Sequence, residues 1–464
     1  MENPKTLLDL IAPLLLVAVP AIIALLVRPA WAQRAAGIGL AAALFNVAVS
    51  APANILPFGQ SLVYDPLTKL FWLLILAAAF AAVVLTPRAA CAAELPANEY
   101  YFLLPISAVG LMAMLATGDL IGVFIALEVV SLPLYALAAA RRTAAGAEAG
   151  YKYFLLGSFG AALTVLGIAF FYGSVGSVLI TSAAAISGLT VTQAAASAGF
   201  LLIMAGFAFK AALVPFHMWV PDVYEGAPTP VSAFMASAVK AGAVLILFRL
   251  FVAADLPLYY KIFWWVAALT MAAGNIAALP QTGVKRMLAY SSVAHAGYLL
   301  TGFMGGKAAF PAVYFYLAVY AAATIGAFSL VAILEKEEKG VTLDGLRGLA
   351  AADPAKAALL AVFVLSLAGI PPLAGFFGKF WLFAQAVRGA APGLVVIAVL
   401  ASAVSLYYYL SIITAMYSGK GDAAAVPRAA TPLTLWLLGA FVLLGGLAAD
   451  LFLLPAARAL PFLP

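Results

Sequence analysis

The chain has 464 residues, 66% of them hydrophobic, with only 24 Lys and Arg, 18 Asp and Glu and 2 His. Charged residues make up 9%, against roughly 25% in a soluble domain, which excludes a soluble enzyme, a disordered chain and a nucleic-acid-binding surface. The single cysteine, Cys91, excludes a disulfide framework, and His217 and His295 offer little to a metal.

Apolar runs long enough to cross a bilayer recur from end to end. They lack the period-two alternation of a β-barrel. The first, 7–27, is followed by Ala30-Trp31-Ala32, a superficial cleavage site, but Glu2, Lys5 and Asp9 make its start net negative. A signal peptide begins positive, so this run reads as a retained helix with its N-terminus outside. Further runs cover 36–51, 64–86, 101–117, 120–140, 151–173, 199–225, 229–252, 260–280, 285–304, 311–334, 355–388, 393–417 and 432–455. The expected fold class is therefore an all-α polytopic membrane protein of about fourteen spans, with both termini on one side.

The basic residues orient it. Arg28, Arg34, Arg88, Arg141, Arg142, Lys285, Arg286, Lys336, Lys339, Arg347, Lys356, Lys420 and Arg428 fall on one side, whereas Lys5, Lys261, Lys307, Arg388 and Arg458 fall on the other. The richer side is expected to be cytoplasmic, with both termini facing away from it. Arg141-Arg142 reads as a headgroup anchor and Glu335 to Lys339 as a solvated loop. Arg249 and Lys69 read as side chains snorkelling from helix ends.

The charges inside the spans carry the functional signal, because each costs about 2.5–3.5 kcal/mol at mid-bilayer on insertion scales. Glu128 lies within the fifth run. Lys152 sits one residue into the sixth, where snorkelling competes with function. Lys210 and Lys240 are each eleven residues into their runs, and Lys379 lies in the twelfth. Burial favours a neutral amine, and a nearby carboxylate favours the ammonium. A lysine held between these influences can take up or release a proton when the carboxylate moves. No phosphate loop, haem motif or metal-ligand cluster accompanies these residues, so the expected chemistry is the movement of protons or ions, with no cofactor on this chain.

Two runs are interrupted beside their lysines, at Lys210-Ala211-Ala212-Leu213-Val214-Pro215-Phe216-His217 and at Gly369-Ile370-Pro371-Pro372-Leu373-Ala374-Gly375-Phe376-Phe377-Gly378-Lys379. Proline frees backbone carbonyls, which are tolerated at membrane depth only when buried in protein or facing water. Broken spans five apart predict an inverted repeat. The expected division is 1–100 for the first three helices, 101–252 and 260–417 for the two repeats, and 432–464 for the last helix.

The stretch from Phe209 to Val231, with Asp222-Val223-Tyr224-Glu225-Gly226-Ala227-Pro228 at its centre, resembles the signature of the antiporter-like membrane subunits of respiratory complex I (NADH-quinone oxidoreductase), in particular their subunit N branch. Leu127 to Tyr135, Lys285 to His295 and Leu367 to Lys379 agree with it, over about residues 60 to 455. The resemblance implies fourteen helices in two inverted five-helix repeats, with a proton path through a central polar axis. It implies that Glu128 tunes Lys210, that Lys240 connects and that Lys379 terminates the path. Lys152 and His295 are further candidates, His295 as a bridge between Lys240 and Lys379. It implies partners among the other membrane-arm subunits, in a bacterial cytoplasmic or equivalent energy-transducing membrane, with quinone, FMN and iron-sulfur clusters on other chains. A subunit of a multisubunit Na⁺/H⁺ antiporter or a membrane-bound hydrogenase, and a non-conducting scaffold, remain alternatives.

Overall fold

The computed structural model describes residues 4–50, 61–186, 191–335, 340–419 and 431–464. Helices begin where polar caps meet apolar runs. Asp65 accepts the Thr68 N–H at 2.7 Å to start α3 (Pro66–Leu85), and Asp119 accepts the Gly122 N–H at 2.7 Å to start α5 (Leu120–Ala138). Thr143 does the same for α6 (Ala144–Val175) through the Gly146 N–H at 3.1 Å. Before and between these run α1 (Pro4–Leu26), α2 (Pro29–Val49) and α4 (Ala97–Leu115).

The chain continues with α7 (Val191–Ala211), the short α8 (Trp219–Gly226), α9 (Thr229–Ala254), α10 (Pro257–Ala278), α11 (Val284–Phe303) and α12 (Gly306–Leu334). It ends with α13 (Pro354–Ala368), α14 (Ala374–Arg388), α15 (Pro392–Tyr417), α16 (Leu433–Leu444) and α17 (Asp450–Ala459). Ten of these helices are long and apolar enough to cross a membrane, and three shorter apolar helices join them. Every expected run coincides with helix, and the two expected breaks separate α7 from α8 and α13 from α14. The all-α membrane fold class therefore holds.

Two boundaries differ from the sequence reading. The sixth helix starts at Ala144 because Thr143 caps it and the small residues after it carry little apolar signal, so Lys152 lies in its third turn. The last run divides at Gly445-Gly446 into α16 and α17.

Loop contacts agree with an up-and-down order. Isolated backbone bridges join Leu62 to Thr117 and Asp119 to Leu179 at one end, and Gly283 to Thr342 at the other. At the first end Lys307 donates to the Leu463 carbonyl at 2.6 Å. At the second Asn98 donates to the Val27 carbonyl at 2.7 Å. Each pair lies on one side of the membrane if successive helices alternate.

Burial ranks the helices. The most apolar windows of α9 and α12 are 100% buried, whereas those of α2, α6 and α15 are 33% buried. α9 and α12 thus form the centre, encased by the others. Close approach uses small residues, as expected without a hydrophobic drive between helices in lipid. A Cβ on Gly199 of α7 would lie 2.7 Å from the Gly167 carbonyl of α6. Within α9 the backbone from Met235 to Val239 forms a π-helical turn immediately before Lys240.

Three surface readings are corrected. Glu335 is buried: Thr229 donates to its Oε1 at 2.6 Å, and Lys285 pairs with that oxygen at 3.5 Å. Arg141 is buried beside Glu94, 3.2 Å away, whereas Arg142 next to it is exposed. Arg249 is buried too, because it donates to the Leu115 and Thr117 carbonyls at the open end of α4. Their partners lie far away in the chain, so the local sequence does not show them. Lys336 to Lys339, Lys420 and Arg428 lie outside the described residues.

Candidate functional site: a buried lysine axis

The first break leaves Lys210 in the last turn of α7, 4% exposed. Its Nζ donates to the Tyr153 hydroxyl at 3.2 Å and lies 4.7 and 5.1 Å from the ring centroids of Tyr153 and Tyr135, within cation–π range. The Phe209 carbonyl, at the break, accepts from the Ala212 N–H at 3.1 Å and from Trp219 Nε1 at 3.0 Å. Trp219 also stacks on Tyr153, with centroids 4.6 Å apart. Ala212 holds the turn with a φ of 65°. Glu128 is half-buried on α5 and forms no salt bridge with Lys210. It borders an exposed apolar strip containing Ile121, Ile125 and Leu132.

Lys240 lies at the centre, fully buried. Its Nζ donates to both the carbonyl and the hydroxyl of Ser292 on α11. Tyr320 of α12 donates to the same Ser292 hydroxyl at 3.0 Å, and its ring centroid is 5.7 Å from the ammonium. His295 stands one turn on from Ser292, with its ring 5.0 Å from that of Tyr320 and 5.5 Å from that of Tyr298. Its Nδ1 meets the Tyr316 hydroxyl at 2.6 Å, and its Nε2 meets the Tyr409 hydroxyl at 3.1 Å.

The second break presents Lys379, also 4% exposed. Its Nζ reaches back to the freed Ala368 carbonyl at 2.9 Å and to the Ser402 hydroxyl at 2.8 Å, 4.6 Å from the Tyr298 ring. The Tyr298 hydroxyl accepts from Asn275 at 3.0 Å, and Asn275 accepts from Tyr408 at 3.0 Å. His295 therefore sits between the tyrosines that cover Lys240 and Lys379.

Lys152 is placed elsewhere. It pairs with Glu148 at 2.7 Å and Asp222 at 2.6 Å. Asp222 pairs in turn with Arg286 at 2.9 Å, and Arg286 with Glu225 at 2.6 Å. This half-exposed network ties α6, α8 and α11 together at one rim.

Sequence reading found the lysines and missed the hydroxyl groups that link them. Tyr316 and Tyr320 fall one turn apart on α12, as do Ser291, Ser292 and His295 on α11, and that spacing was the available signal. Chemically the axis offers donors and acceptors that can exchange protons, spaced by aromatic rings and serines.

The chain matches the family model described as NADH:quinone oxidoreductase/Mrp antiporter, TM, over residues 117–405. It is 40% identical over 398 residues to the NADH-quinone oxidoreductase subunit N of Trichlorobacter lovleyi, covering 83% of this chain and 81% of that one. A chain of respiratory complex I from Thermus thermophilus shares the fold with a TM-score of 0.80 and 36% identity, over 97% of this chain and 98% of that one. A chain of the Mrp complex from Dietzia sp. shares the fold alone, with a TM-score of 0.83 at 22% identity, over 98% and 97% of the two chains.

Proposed function

Because the chain belongs to the NADH:quinone oxidoreductase/Mrp antiporter membrane family, we propose that it is an N-type membrane-arm subunit of NADH-quinone oxidoreductase that carries protons along the lysine axis. The observation that supports this most is the arrangement of Lys210, Lys240 and Lys379, each buried and each bonded to a side-chain hydroxyl. A deep ammonium is costly and is retained where ions or protons pass.

In this reading the 101–252 and 260–417 segments are inverted repeats, each contributing one broken helix. Glu128 holds a proton on Lys210 when it approaches and releases it when drawn away. An ion pair at 4 Å is worth about 4 kcal/mol at an effective dielectric of 20, enough to decide whether a buried amine stays charged. Glu128 borders an exposed face, so a neighbouring subunit seated there can move it. The proton then passes by Tyr153, Lys240 and Ser292, past Tyr320 and His295, to Lys379, and leaves on the opposite side. Lys152 positions the rim of α8. Driving energy comes from quinone reduction on partner subunits, which carry the FMN and iron-sulfur clusters. The membrane is the bacterial inner membrane, with both termini on its outer face.

The test is Lys210→Ala in the assembled complex, with protons translocated per quinone reduced measured in sealed vesicles. Loss of part of that ratio is expected. An unchanged ratio in a fully assembled complex would sink the relay, and a sodium-dependent, quinone-independent flux would favour the antiporter reading.

A further inference from the structure

At the rim formed by the loop before α6, the end of α8 and the loops flanking α11 and α12 lies a cavity of about 580 Å³, lined among others by Arg141, Ala145, Glu225, Lys285, Glu335 and Thr342. This wall is more polar than those of the apolar grooves elsewhere on the molecule. Glu335, 5% exposed, is at its floor. One carboxylate oxygen is taken by Thr229 at 2.6 Å and Lys285 at 3.5 Å; the other, Oε2, is buried with no hydrogen-bond partner. An unsatisfied carboxylate oxygen in a buried position carries a substantial penalty. A polar cavity of this size holds many waters, which relieve that penalty.

The floor leads to the axis. Thr229, which donates to Glu335, starts α9, and Lys240 lies eleven residues further on the same helix, about 16 Å away. Glu335 ends α12, whose face below it carries Phe328, Thr324 and Tyr320. The Thr324 hydroxyl is itself buried without a partner, and Tyr320 covers Lys240. Between cavity and axis the rings of Phe328 and Tyr224 meet edge-on at 6.2 Å.

We infer that this cavity is the proton-uptake port of the subunit, with Glu335 as its acceptor and the Phe328–Tyr224 contact as the dry seal that must wet before a proton reaches Lys240. This rests on the relay reading above: a proton that enters at Lys240 loads Lys210 while Glu128 is close, and returns through Lys240 when Glu128 withdraws. A hydronium ion in the cavity gives its proton to Oε2 and leaves as water. The neutral carboxyl weakens its pairing with Lys285, and the proton passes inward when water bridges the seal, which restores the carboxylate. Thr229 and Lys285 hold the carboxylate in place, so they are positioning residues.

The experiment uses the assembled complex in sealed vesicles with the face bearing this cavity outward. Glu335→Gln keeps the shape and the Thr229 bond and removes the acceptor; protons translocated per quinone reduced are expected to fall to the level of Lys240→Ala. In parallel, Ala145→Cys, at the exposed mouth, is modified after assembly with a bulky charged thiol reagent that does not cross membranes. Native Cys91 is buried, so the unsubstituted chain serves as the unlabelled control. Labelling from this face and a drop of at least threefold in proton translocation, relative to the same Ala145→Cys complex before labelling, are expected. Complete labelling with unchanged translocation, or no labelling from this face, overturns the port. The labelling arm decides the matter even where Glu335→Gln fails to assemble. Loss with Lys240→Ala alongside normal Glu335→Gln rejects the port and spares the relay. Normal translocation in Lys210→Ala and Lys240→Ala rejects the relay itself.

Discussion

The two broken helices look alike in sequence and are built differently. At the first break the lysine precedes the interruption, and the Ala212 N–H and Trp219, from the far side of it, share the Phe209 carbonyl. Lys210 is left with one hydroxyl and three aromatic rings. At the second break the lysine follows the interruption and itself takes up the freed Ala368 carbonyl, with Ser402 as a second acceptor. One lysine is relieved of structural duty and the other holds the break together. The difference teaches that a proton-carrying group near a broken helix can be kept loosely held only where another donor satisfies the backbone.

The largest test of that contrast is Gly375→Ala at the start of α14. A Cβ there would lie 1.8 Å from the Ser366 carbonyl, backbone that cannot move aside. Loss of assembled complex is expected on a native gel, and normal assembly would show that the second break is less rigid than its packing indicates.

Lys379→Met and Lys210→Met come next. Both should lose proton translocation. Lys379→Met should also lower stability by about 1–3 kcal/mol, because the Ala368 carbonyl loses its charged donor. Lys210→Met should be neutral or stabilising, since an apolar isostere replaces a buried charge that holds no backbone group. Denaturant midpoints in detergent separate the two, and equal losses would break the comparison.

Trp219→Phe removes one of the two donors to the Phe209 carbonyl while keeping most of the ring, and the Ala212 N–H remains. A loss of about 0.5–1.5 kcal/mol is expected by the same measurement. The smallest effects concern the left-handed turns. Ala212 adopts a φ of 65° where Gly369 adopts 87°. Ala212→Gly should stabilise slightly through relief of strain, or cost at most a few tenths of a kcal/mol through unfolded-chain entropy. Gly369→Ala should destabilise by about 1 kcal/mol or more, because its Cβ would also meet the Lys379 side chain at 2.9 Å.

Much of this molecule was legible in its sequence. Apolar runs gave the helices, prolines gave the breaks, and lysines too deep to snorkel gave the axis. The connecting hydroxyls were hidden, because Tyr298, Tyr320, Tyr409, Ser292 and Ser402 are ordinary residues in apolar helices and their partners lie far away in the chain. Glu335 was hidden for the opposite reason. It heads a charged run that reads as solvated, and only the folded chain brings Thr229 and Lys285 against it. Arg141 and Arg249 misled in the same way, since their acceptors are contributed by distant loops and helix ends.

The π-helical turn from Met235 to Val239 sets the angular phase of α9. It inserts one residue into the regular winding between Thr229 and Lys240. Deleting Ala236 would rewind this segment as plain α-helix and turn its two ends about 100° relative to each other. With Thr229 anchored to Glu335, the ammonium of Lys240 would then swing away from Ser292; with Lys240 anchored, Thr229 would leave Glu335. A one-residue deletion would thus disconnect rim from centre without removing a single polar group.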